Sequence, residues 1–354
     1  MDYQPILEVR RGSTVESVHC GAVAVADSAG RLLAWHADPA IVTFLRSSAK
    51  PFQALPLLES GAAERFGLDE RQLAVICASH TGTDEHVAAV AGIQHACGVS
   101  EGDLRCGVHR PYDPPTARRL AETGELPTPN RNNCSGKHTG MLALARHLGA
   151  PLEGYLDPAH PVQQRVRAAL AALCGLEPSA VAIAIDGCSA PTFAVPLHAA
   201  AAAFARLGDP TALPPARAAA CRRVFEAMAA HPELVAGPGR FDSALMRAAA
   251  GRIVSKGGAE GYHGLALAPG ACGPGSPALG IALKIADGDL GRRTDAPPGQ
   301  RAGSRAVLAV LRALGALDDQ AAEALADFEA PLLTNHRGLP VGEMRACLQL
   351  QRTG

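Results

Sequence analysis

The sequence predicts a mixed α/β fold of the α+β kind, with one antiparallel sheet built from both ends of the chain. Near the start, apolar runs over 15–25 and 31–36 flank a turn cluster, which is typical of a β-hairpin. Strand-like runs return only after Gly251, and apolar residues in the region between follow helical spacing. We therefore expect a sheet assembled from distant segments beside a large helical section.

Helices in the central region are predicted from apolar spacing, with Pro in the first turn or Gly just past the end. They cover 84–96, 115–122, 137–148, 161–174, 215–230 and 242–250. A shorter helix is expected over 52–58, entered through 47–51 and strained at Pro56. The apolar, β-branched run 181–185 predicts a buried strand that ends at Asp186.

The C-terminal region combines strands with one further helix. The predicted strands are 252–255, 264–268 and 278–285, and the helix is 302–314. Because no repeat or low-complexity linker divides the sequence, we expect a single domain over 1–354. Its two lobes are predicted to be a sheet lobe of 1–65 plus 250–354 and a mainly helical lobe of 66–249.

Composition and charge exclude several classes of function. Charged residues make up 19% of the 354 residues, and the formal net charge is −1. No Lys/Arg run is dense enough to follow a phosphate backbone, so no nucleic-acid partner is expected. The apolar stretch 194–207 contains His198 and Pro196 and is too short to span a membrane. The expected partner is a small molecule.

The N-terminus and the cysteines bear on the cellular location. Residues 1–8 show no basic region followed by an apolar stretch, so a cytoplasmic location is expected. The 10 cysteines are scattered without a Cys-x-x-Cys pair. In a chain without a secretory signal this distribution indicates buried free thiols.

Ser47 and Lys50 form a Ser-x-x-Lys pair in the segment 46–52. Residues three apart on a helix share a face, and a buried lysine with a lowered pKa can take the proton of a serine hydroxyl. This is the chemistry of a serine–lysine acyl transferase. The spacing also arises by chance, and the alternative is a helix N-cap followed by a solvated lysine, with Ser48 as another cap or nucleophile.

Lys256 lies in a Ser-Lys-Gly-Gly segment at the end of a predicted strand. In acyl-serine enzymes of the penicillin-binding and β-lactamase type, Ser-x-x-Lys opens a helix and Lys-Thr-Gly lies on a facing strand. The two motifs follow the same order here. A surface lysine beside a glycine turn is the alternative.

Two more polar segments are candidates for the site. Ser79 and His80 follow an apolar run, and Ser79 could present a second hydroxyl at the site. The alternative is that this segment caps the helix that begins at 84 and that His80 is an ordinary loop histidine. Cys134 and Cys188 lie in two turns, and thiolates together with a nitrogen ligand suit zinc. Two unlinked buried thiols are the alternative.

Together these segments resemble the bacterial type II L-asparaginase family, specifically the Rhizobium-type inducible enzymes. The resemblance covers nearly the whole chain. It is carried by Val-Glu-Ser-Val-His at 15–19, Arg-Ser-Ser-Ala-Lys-Pro-Phe-Gln at 46–53, Ser-His at 79–80, Asn-Cys-Ser-Gly-Lys-His at 133–138, Asp-Gly-Cys at 186–188 and Ser-Lys-Gly-Gly at 255–258.

The resemblance implies a single catalytic domain that hydrolyses L-asparagine to aspartate and ammonia. It also implies a homodimer with a fold similar to serine β-lactamases and glutaminases. The family's two Ser–Lys tandems fall on Ser47 with Lys50 and on Ser79 with Lys256, with Ser47 as nucleophile and Lys50 as base.

The same resemblance implies a zinc ion, Zn²⁺, bound by Cys134, Lys137 and Cys188, which tunes substrate binding. A lysine ligand must be deprotonated, so a lowered pKa is expected at Lys137. The remaining candidates for substrate contacts are Arg46, His80, His138 and Asp186.

One departure from the family pattern is visible, because Cys20 stands where the family has a basic residue after the hairpin histidine. Three other functions remain open. They are a preference for glutamine, a β-lactamase-like acyl-serine hydrolase, and a dimeric protein that binds a small molecule without catalysis.

Overall fold

The computed structural model describes residues 3–288, 302–329 and 333–353. The strands in these ranges are β1 (Gln4–Arg11), β2 (Thr14–Asp27), β3 (Leu32–His36), β4 (Val42–Phe44), β5 (Ala182–Ile185), β6 (Pro191–Pro196), β7 (Ile253–Gly257), β8 (Tyr262–Leu267), β9 (Leu279–Ile285), β10 (Leu333–Thr334), β11 (Pro340–Ala346) and β12 (Gln351–Arg352).

The α-helices in the same ranges are α1 (Lys50–Glu59), α2 (Ala62–Arg65), α3 (Glu70–Ile76), α4 (Asp84–Cys97), α5 (Pro114–Thr123), α6 (Ser135–Leu148), α7 (Pro161–Cys174), α8 (Leu197–Gly208), α9 (Pro215–Ala230), α10 (Pro232–Val235), α11 (Phe241–Ala248), α12 (Gly303–Ala313), α13 (Asp319–Ala324) and α14 (Ala326–Glu329). A 3₁₀ turn, Arg46–Ala49, precedes α1. No described helix combines the length and the apolar content needed to cross a membrane.

The chain divides into two compact units. The first unit comprises Met1–Ser48, Val195–Asp209 and Ala244–Gly354, and the second comprises Ala49–Ala194 and Pro210–Ser243. Helix α1 therefore belongs to the second unit and α8 to the first.

The first unit contains an antiparallel sheet with the strand order β10-β11-β1-β2-β9-β8-β7, and β3 joins β2 and β12. Strand β9, from the C-terminal region, lies between β2 and β8. This arrangement confirms the predicted mixed fold with an antiparallel sheet built from N- and C-terminal strands.

Helix α8 covers one face of that sheet at close range. A side chain at Gly280 would overlap the main chain at Ala201, and one at Gly264 would overlap the ring of Phe204. Ala26 is directly opposite Gly280 in the register of β2 with β9. These small residues let the helix approach the strands closely, as the abundance of Ala and Gly suggests.

The second unit packs helices around α1, which contacts α6, α7 and α9. Helix α1 is buried from Lys50 to Leu58 and continues through Pro56 to Glu59. Helix α3 contacts α4, α6 and α9. A side chain at Gly136 would overlap the carbonyl of Val75, so glycine is required where α6 begins beside the end of α3.

One prediction about this unit is wrong. The run 181–185 forms a strand, but β5 is not buried: its ends are exposed and Ile185 is 63% exposed. The strand has only 4 residues and pairs with β6 alone, so little of its surface is covered.

Candidate active site

Lys50 is the first residue of α1, and 1% of its surface is exposed. Its Nζ donates to two main-chain carbonyls, Ala78 O at 2.5 Å and Asn133 O at 3.0 Å. Two side chains are further partners, Ser79 Oγ at 2.9 Å and Cys134. The second unit therefore brings together Lys50 and Ser79, a pair that is not one of the two predicted tandems.

The chemistry of this contact depends on the protonation of the amine. Burial is the largest influence and lowers the pKa of Lys50, against an opposing effect of Cys134. A neutral amine has two N–H donors and one lone pair. If the two carbonyls, which only accept, take both donors, the lone pair is left for one of the two side-chain partners of the amine, the Ser79 hydroxyl or the Cys134 thiol group. When the lone pair faces Ser79, Lys50 is placed to receive the Ser79 proton.

Ser79 lies in the segment between α3 and α4, which is fixed at several points. Its main-chain N–H donates to Val235 O at 2.9 Å. The following helix begins with a capping box between Thr83 and His86. Thr83 therefore caps α4, so the Ser79 side chain is not needed for that cap.

His80 ties this segment to the start of α6. Its Nδ1 accepts from Gly82 N–H at 3.2 Å, and its Nε2 lies 2.9 Å from Ser135 Oγ. Since Ser135 Oγ donates to Asn130 O, the Nε2–H of His80 donates to Ser135. Burial, then His86 and Lys50, lower the pKa of His80 well below its usual value. Both ring nitrogens of this neutral histidine are therefore engaged in hydrogen bonds within the protein.

Cys134, Lys137 and Cys188 converge in the second unit. Cys134 precedes α6, Lys137 lies in its first turn, and Cys188 lies in the loop between β5 and β6. Lys137 Nζ donates to Cys188 Sγ at 3.0 Å, and the two thiol groups share a hydrogen bond. All three side chains are buried. The two cysteines are therefore not unlinked thiols.

The hydrogen bond between the two thiol groups shifts their pKa values in opposite directions. The hydrogen bond from Cys188 lowers the pKa of Cys134 well below its usual value, and Lys50 and Lys137 lower it further against the effect of burial. The pKa of Cys188 is raised by the same hydrogen bond and by burial. Burial lowers the pKa of Lys137, but Cys134, Cys188 and Asp186 raise it by more, opposite to the expected direction.

The donor set of this cluster fits zinc. Thiolate sulfur and an amine nitrogen are ligands that this ion accepts. Among the residues that the structure describes, no three His, Cys, Asp or Glu side chains converge to hold a metal. A metal at Cys134 and Cys188 would therefore take Lys137 as its third protein ligand, and its binding would release the protons of Lys137 and Cys188.

Asp186 begins the loop that carries Cys188. It is half-buried, and its Oδ1 accepts from Gly187 N–H at 2.7 Å. Ser189 in this loop has a φ of 67°, an uncommon conformation for a residue with a side chain. Strained conformations of this kind are often found at functional sites.

Three predicted residues, Arg46, Ser47 and Lys256, belong to the first unit, whereas His138 lies on α6 in the second. Ser47 is half-buried in the 3₁₀ turn, and Arg46 beside it has a φ of 50°. Lys256 on β7 is 1% exposed, and its Nζ donates to Gly257 O at 2.7 Å. Ser48 Oγ donates to Lys256 O at 2.6 Å. Because the Ser48 proton is held by a carbonyl, this residue is poorly placed as a nucleophile.

Neither serine caps α1. Ala49 occupies the cap position, without a side-chain cap hydrogen bond, so the interpretation of Ser47 or Ser48 as an N-cap does not hold. Lys50 is buried, so it is not a solvated lysine either. Lys256 is buried as well, which removes the interpretation as a surface residue.

Several groups around the site were not predicted from sequence. The carbonyls of Ala78 and Asn133 hold Lys50, and any residue type supplies such atoms. His109 accepts Asn133 N–H at 3.0 Å and stacks on Tyr112, so it holds the segment that binds Lys50. No local motif marks His109, and only the folded chain shows this relationship.

Comparison with solved structures gives weak similarities to a protein described as Mglu. Its native form in 4.3 M NaCl aligns with a TM-score of 0.41 and 16% identity, over 82% of this chain and 60% of that chain. Its tris and glutamate form aligns with a TM-score of 0.33 and 15% identity, over 89% of this chain and 64% of that one. The chain thus spans less than two thirds of these structures. A comparison with curated proteins found no match.

The family comparison covers nearly the whole chain. A family profile described as L-asparaginase II matches residues 7–346, a range that includes every candidate site residue named above. The chain therefore belongs to the L-asparaginase II family.

Proposed function

We propose that this protein is an L-asparagine amidohydrolase that releases L-aspartate and ammonia through an acyl-enzyme. Family membership supports the amidohydrolase activity. The observation that carries the mechanism is the 2.9 Å contact between Lys50 Nζ and Ser79 Oγ, at an amine that also binds two main-chain carbonyls and the Cys134 side chain. Such an arrangement supplies a serine and the base that activates it.

In the proposed reaction Lys50 takes the Ser79 proton as Ser79 Oγ attacks the side-chain amide carbon of asparagine. The C–N bond then breaks, and the proton passes from Lys50 to the leaving nitrogen, which departs as ammonia. Water next attacks the ester, giving its proton to Lys50. The C–O bond to Ser79 breaks, the serine recovers its proton, and aspartate leaves.

Ser47 remains the alternative nucleophile, as the Ser-x-x-Lys pair predicts. We favour Ser79 because the second unit supplies a base within hydrogen-bond distance of it. Lys256, which the resemblance places in the second tandem, is proposed to relay a proton to the leaving ammonia. His80 is assigned to positioning Ser79, since both of its ring nitrogens are engaged. Arg46, Asp186 and His138 are proposed substrate contacts.

Cys134, Lys137 and Cys188 are proposed to bind Zn²⁺. When bound, the ion supplies a positive charge that attracts an oxygen of the substrate. We assign the ion a role in substrate binding. The serine and lysine residues carry out the proton transfers. A Rhizobium-type relationship, a β-lactamase-like architecture and a homodimer are further parts of this proposal, with a cytoplasmic location.

Ammonia release tests the proposal. The purified full chain is incubated with L-asparagine, L-glutamine and a chromogenic β-lactam, and ammonia or chromophore is measured. The proposal expects the highest kcat/KM for L-asparagine. Higher turnover of glutamine would reassign the substrate, and β-lactam hydrolysis alone would reassign the enzyme class. No turnover of any amide would favour a binding protein.

A further inference from the structure

The His138 ring on α6 is fully buried, but only one of its two ring nitrogens has a hydrogen-bond partner among the described residues. Its Nδ1 lies 2.6 Å from the hydroxyl oxygen of Tyr155. Its Nε2 is buried and has no hydrogen-bond partner in the part of the chain that the structure describes. An unpaired buried polar nitrogen is costly, so its retention needs an explanation.

The position of the proton on His138 follows from counting donors. Arg105 N–H donates to Tyr155 Oη at 3.0 Å, because a main-chain N–H has no other role. If Tyr155 then donates to His138 Nδ1, only the Nε2–H remains unpaired. In the opposite tautomer, both the Tyr155 hydrogen and the Nε2 lone pair lack partners among the described residues. The first arrangement leaves fewer unpaired groups.

We propose that Tyr155 is a positioning residue that fixes His138 in the Nε2–H tautomer, so that His138 donates a hydrogen bond to the α-carboxylate of the substrate. The proposal rests on the amidohydrolase function above. The carboxylate of that proposed substrate is a charged acceptor, which forms the stronger hydrogen bond with a buried N–H.

The surroundings of His138 agree with an anionic ligand. His138 directly follows Lys137 on α6 and lies within electrostatic range of Lys137 and Lys50. Lys50 in turn contacts Ser79. A carboxylate held by His138 would therefore lie in the same electrostatic environment as the proposed base.

The Tyr155 hydroxyl links the His138 ring to the main chain at Arg105. Tyr155 is 1% exposed, its ring meets His138 edge-on at 5.7 Å, and its hydroxyl bonds to Arg105 and His138. Phenylalanine would fill the same space and keep the ring contact. The Tyr155→Phe variant therefore removes the hydroxyl with little change in packing.

The tautomer is tested first, in the full chain without substrate. Nitrogen-15 NMR of the imidazole rings, assigned by comparison with a His138→Gln variant, should show the Nε2–H form in the wild type. Tyr155→Phe should move the His138 signals toward a tautomer mixture. A wild-type His138 in the Nδ1–H form would overturn the proposal, whatever the activity of the enzyme.

The ligand is tested by L-aspartate affinity from calorimetry and by KM for L-asparagine. Tyr155→Phe should weaken both about tenfold while kcat changes less than about twofold. Tyr3→Phe, a tyrosine of the first unit, serves as the matched control and should leave both values unchanged. Equal affinities in Tyr155→Phe and the wild type would contradict the inference.

A double-variant cycle separates positioning from general stabilisation. Glutamine at 138 supplies an amide N–H that does not depend on Tyr155, so adding Tyr155→Phe to His138→Gln should change L-aspartate affinity less than about twofold. An equal tenfold loss in both backgrounds would show a structural role and overturn the proposal. A wild type that binds L-aspartate but hydrolyses no amide would overturn only the proposed function.

Discussion

The amine of Lys50 and the hydroxyl of Ser79 lie 2.9 Å apart, and two main-chain carbonyls also bind the amine. This relationship places a buried lysine as a base beside one serine. Cys134, from the thiol cluster of Cys134 and Cys188, is a further hydrogen-bond partner of the same amine. Replacing the lysine, the serine or Cys188 therefore tests the base, the nucleophile and the metal site in turn.

Replacing Lys50 tests the need for an amine that can lose its proton. Lys50→Arg keeps a positive charge but stays protonated, so kcat should fall by about 10³ or more, as it should in Lys50→Met. Ammonia release gives the rate, and circular dichroism checks that each variant folds. A Lys50→Arg enzyme with half of the wild-type rate would rule out the base role.

The serine that carries the acyl group is identified by trapping. Ser79→Ala should abolish turnover and acyl-enzyme formation, whereas Ser47→Ala should still form an acyl-enzyme at a reduced rate. Intact mass spectrometry after rapid acid quenching detects the adduct. An adduct retained in Ser79→Ala and lost in Ser47→Ala would assign the nucleophile to Ser47, as the sequence motif predicts.

Metal content tests the thiol cluster. We expect about one zinc per chain, and Cys188→Ala should reduce this content at least about tenfold because it removes one of three protein ligands. Cys221→Ala is the matched control, since Cys221 is also buried in the second unit, on α9. Elemental analysis after gel filtration gives the ratio. Similar zinc content in both variants would exclude this cluster as the binding site.

Acid should destabilise the protein through His86, which stacks on His80 at 4.8 Å. Burial lowers the pKa of His86 to about 4, against small opposing effects of Glu85 and Asp113. The unfolded chain therefore binds a proton below about pH 6.5 that the folded protein binds only near pH 4. The free energy of unfolding should fall by about 3 kcal/mol between these pH values and stay level above pH 7.

The measurement for His86 is urea unfolding at several pH values. His86→Asn should reduce the dependence between about pH 6.5 and 4 by about 3 kcal/mol, and the buried His80 and His138, whose pKa values are also lowered, should retain the rest. The exposed His95 on the same helix provides the control, and His95→Asn should retain the wild-type slope. Identical slopes in all three proteins would refute the assignment.

The contact between α6 and α3 should be intolerant of added volume. Gly136→Ala forces a methyl group against the carbonyl of Val75, a main-chain atom that cannot rotate away, so we expect a loss of about 3 kcal/mol or more. Gly187→Ala is the control because no atom lies within 4 Å of the point that its methyl group would occupy. Thermal unfolding distinguishes the two, and equal Tm values would contradict the close approach.

Much of the fold could be predicted from sequence where local signals agree. Helices α7 and α9 begin and end as predicted, since Pro lies in the first turn of each and Gly175 ends α7. Helix α8 is not among the predicted helices because Pro196 interrupts the apolar stretch 194–207. In the structure Pro196 occupies the cap position, where it does not interrupt the helix.

The pairing of groups at the site could not be predicted in the same way. Lys50 and Ser79 are 29 residues apart, and Lys137 and Cys188 are 51 apart. Their contacts depend on how α1, α3 and α6 pack, and periodicity does not encode that. The short strands β10 and β12 have 2 residues each and carry no pattern that sequence could reveal.

The carbonyls that orient Lys50 belong to Ala78 and Asn133, and they are part of the main chain. Substitution of either side chain removes neither acceptor. An engineered library at position 133, which is half-buried, should therefore reshape the neighbourhood of the reactive serine while the carbonyl that binds the base is inherited. Ala78 is fully buried and does not accept a larger side chain, so position 133 is the natural starting point for altering substrate preference without rebuilding the catalytic pair.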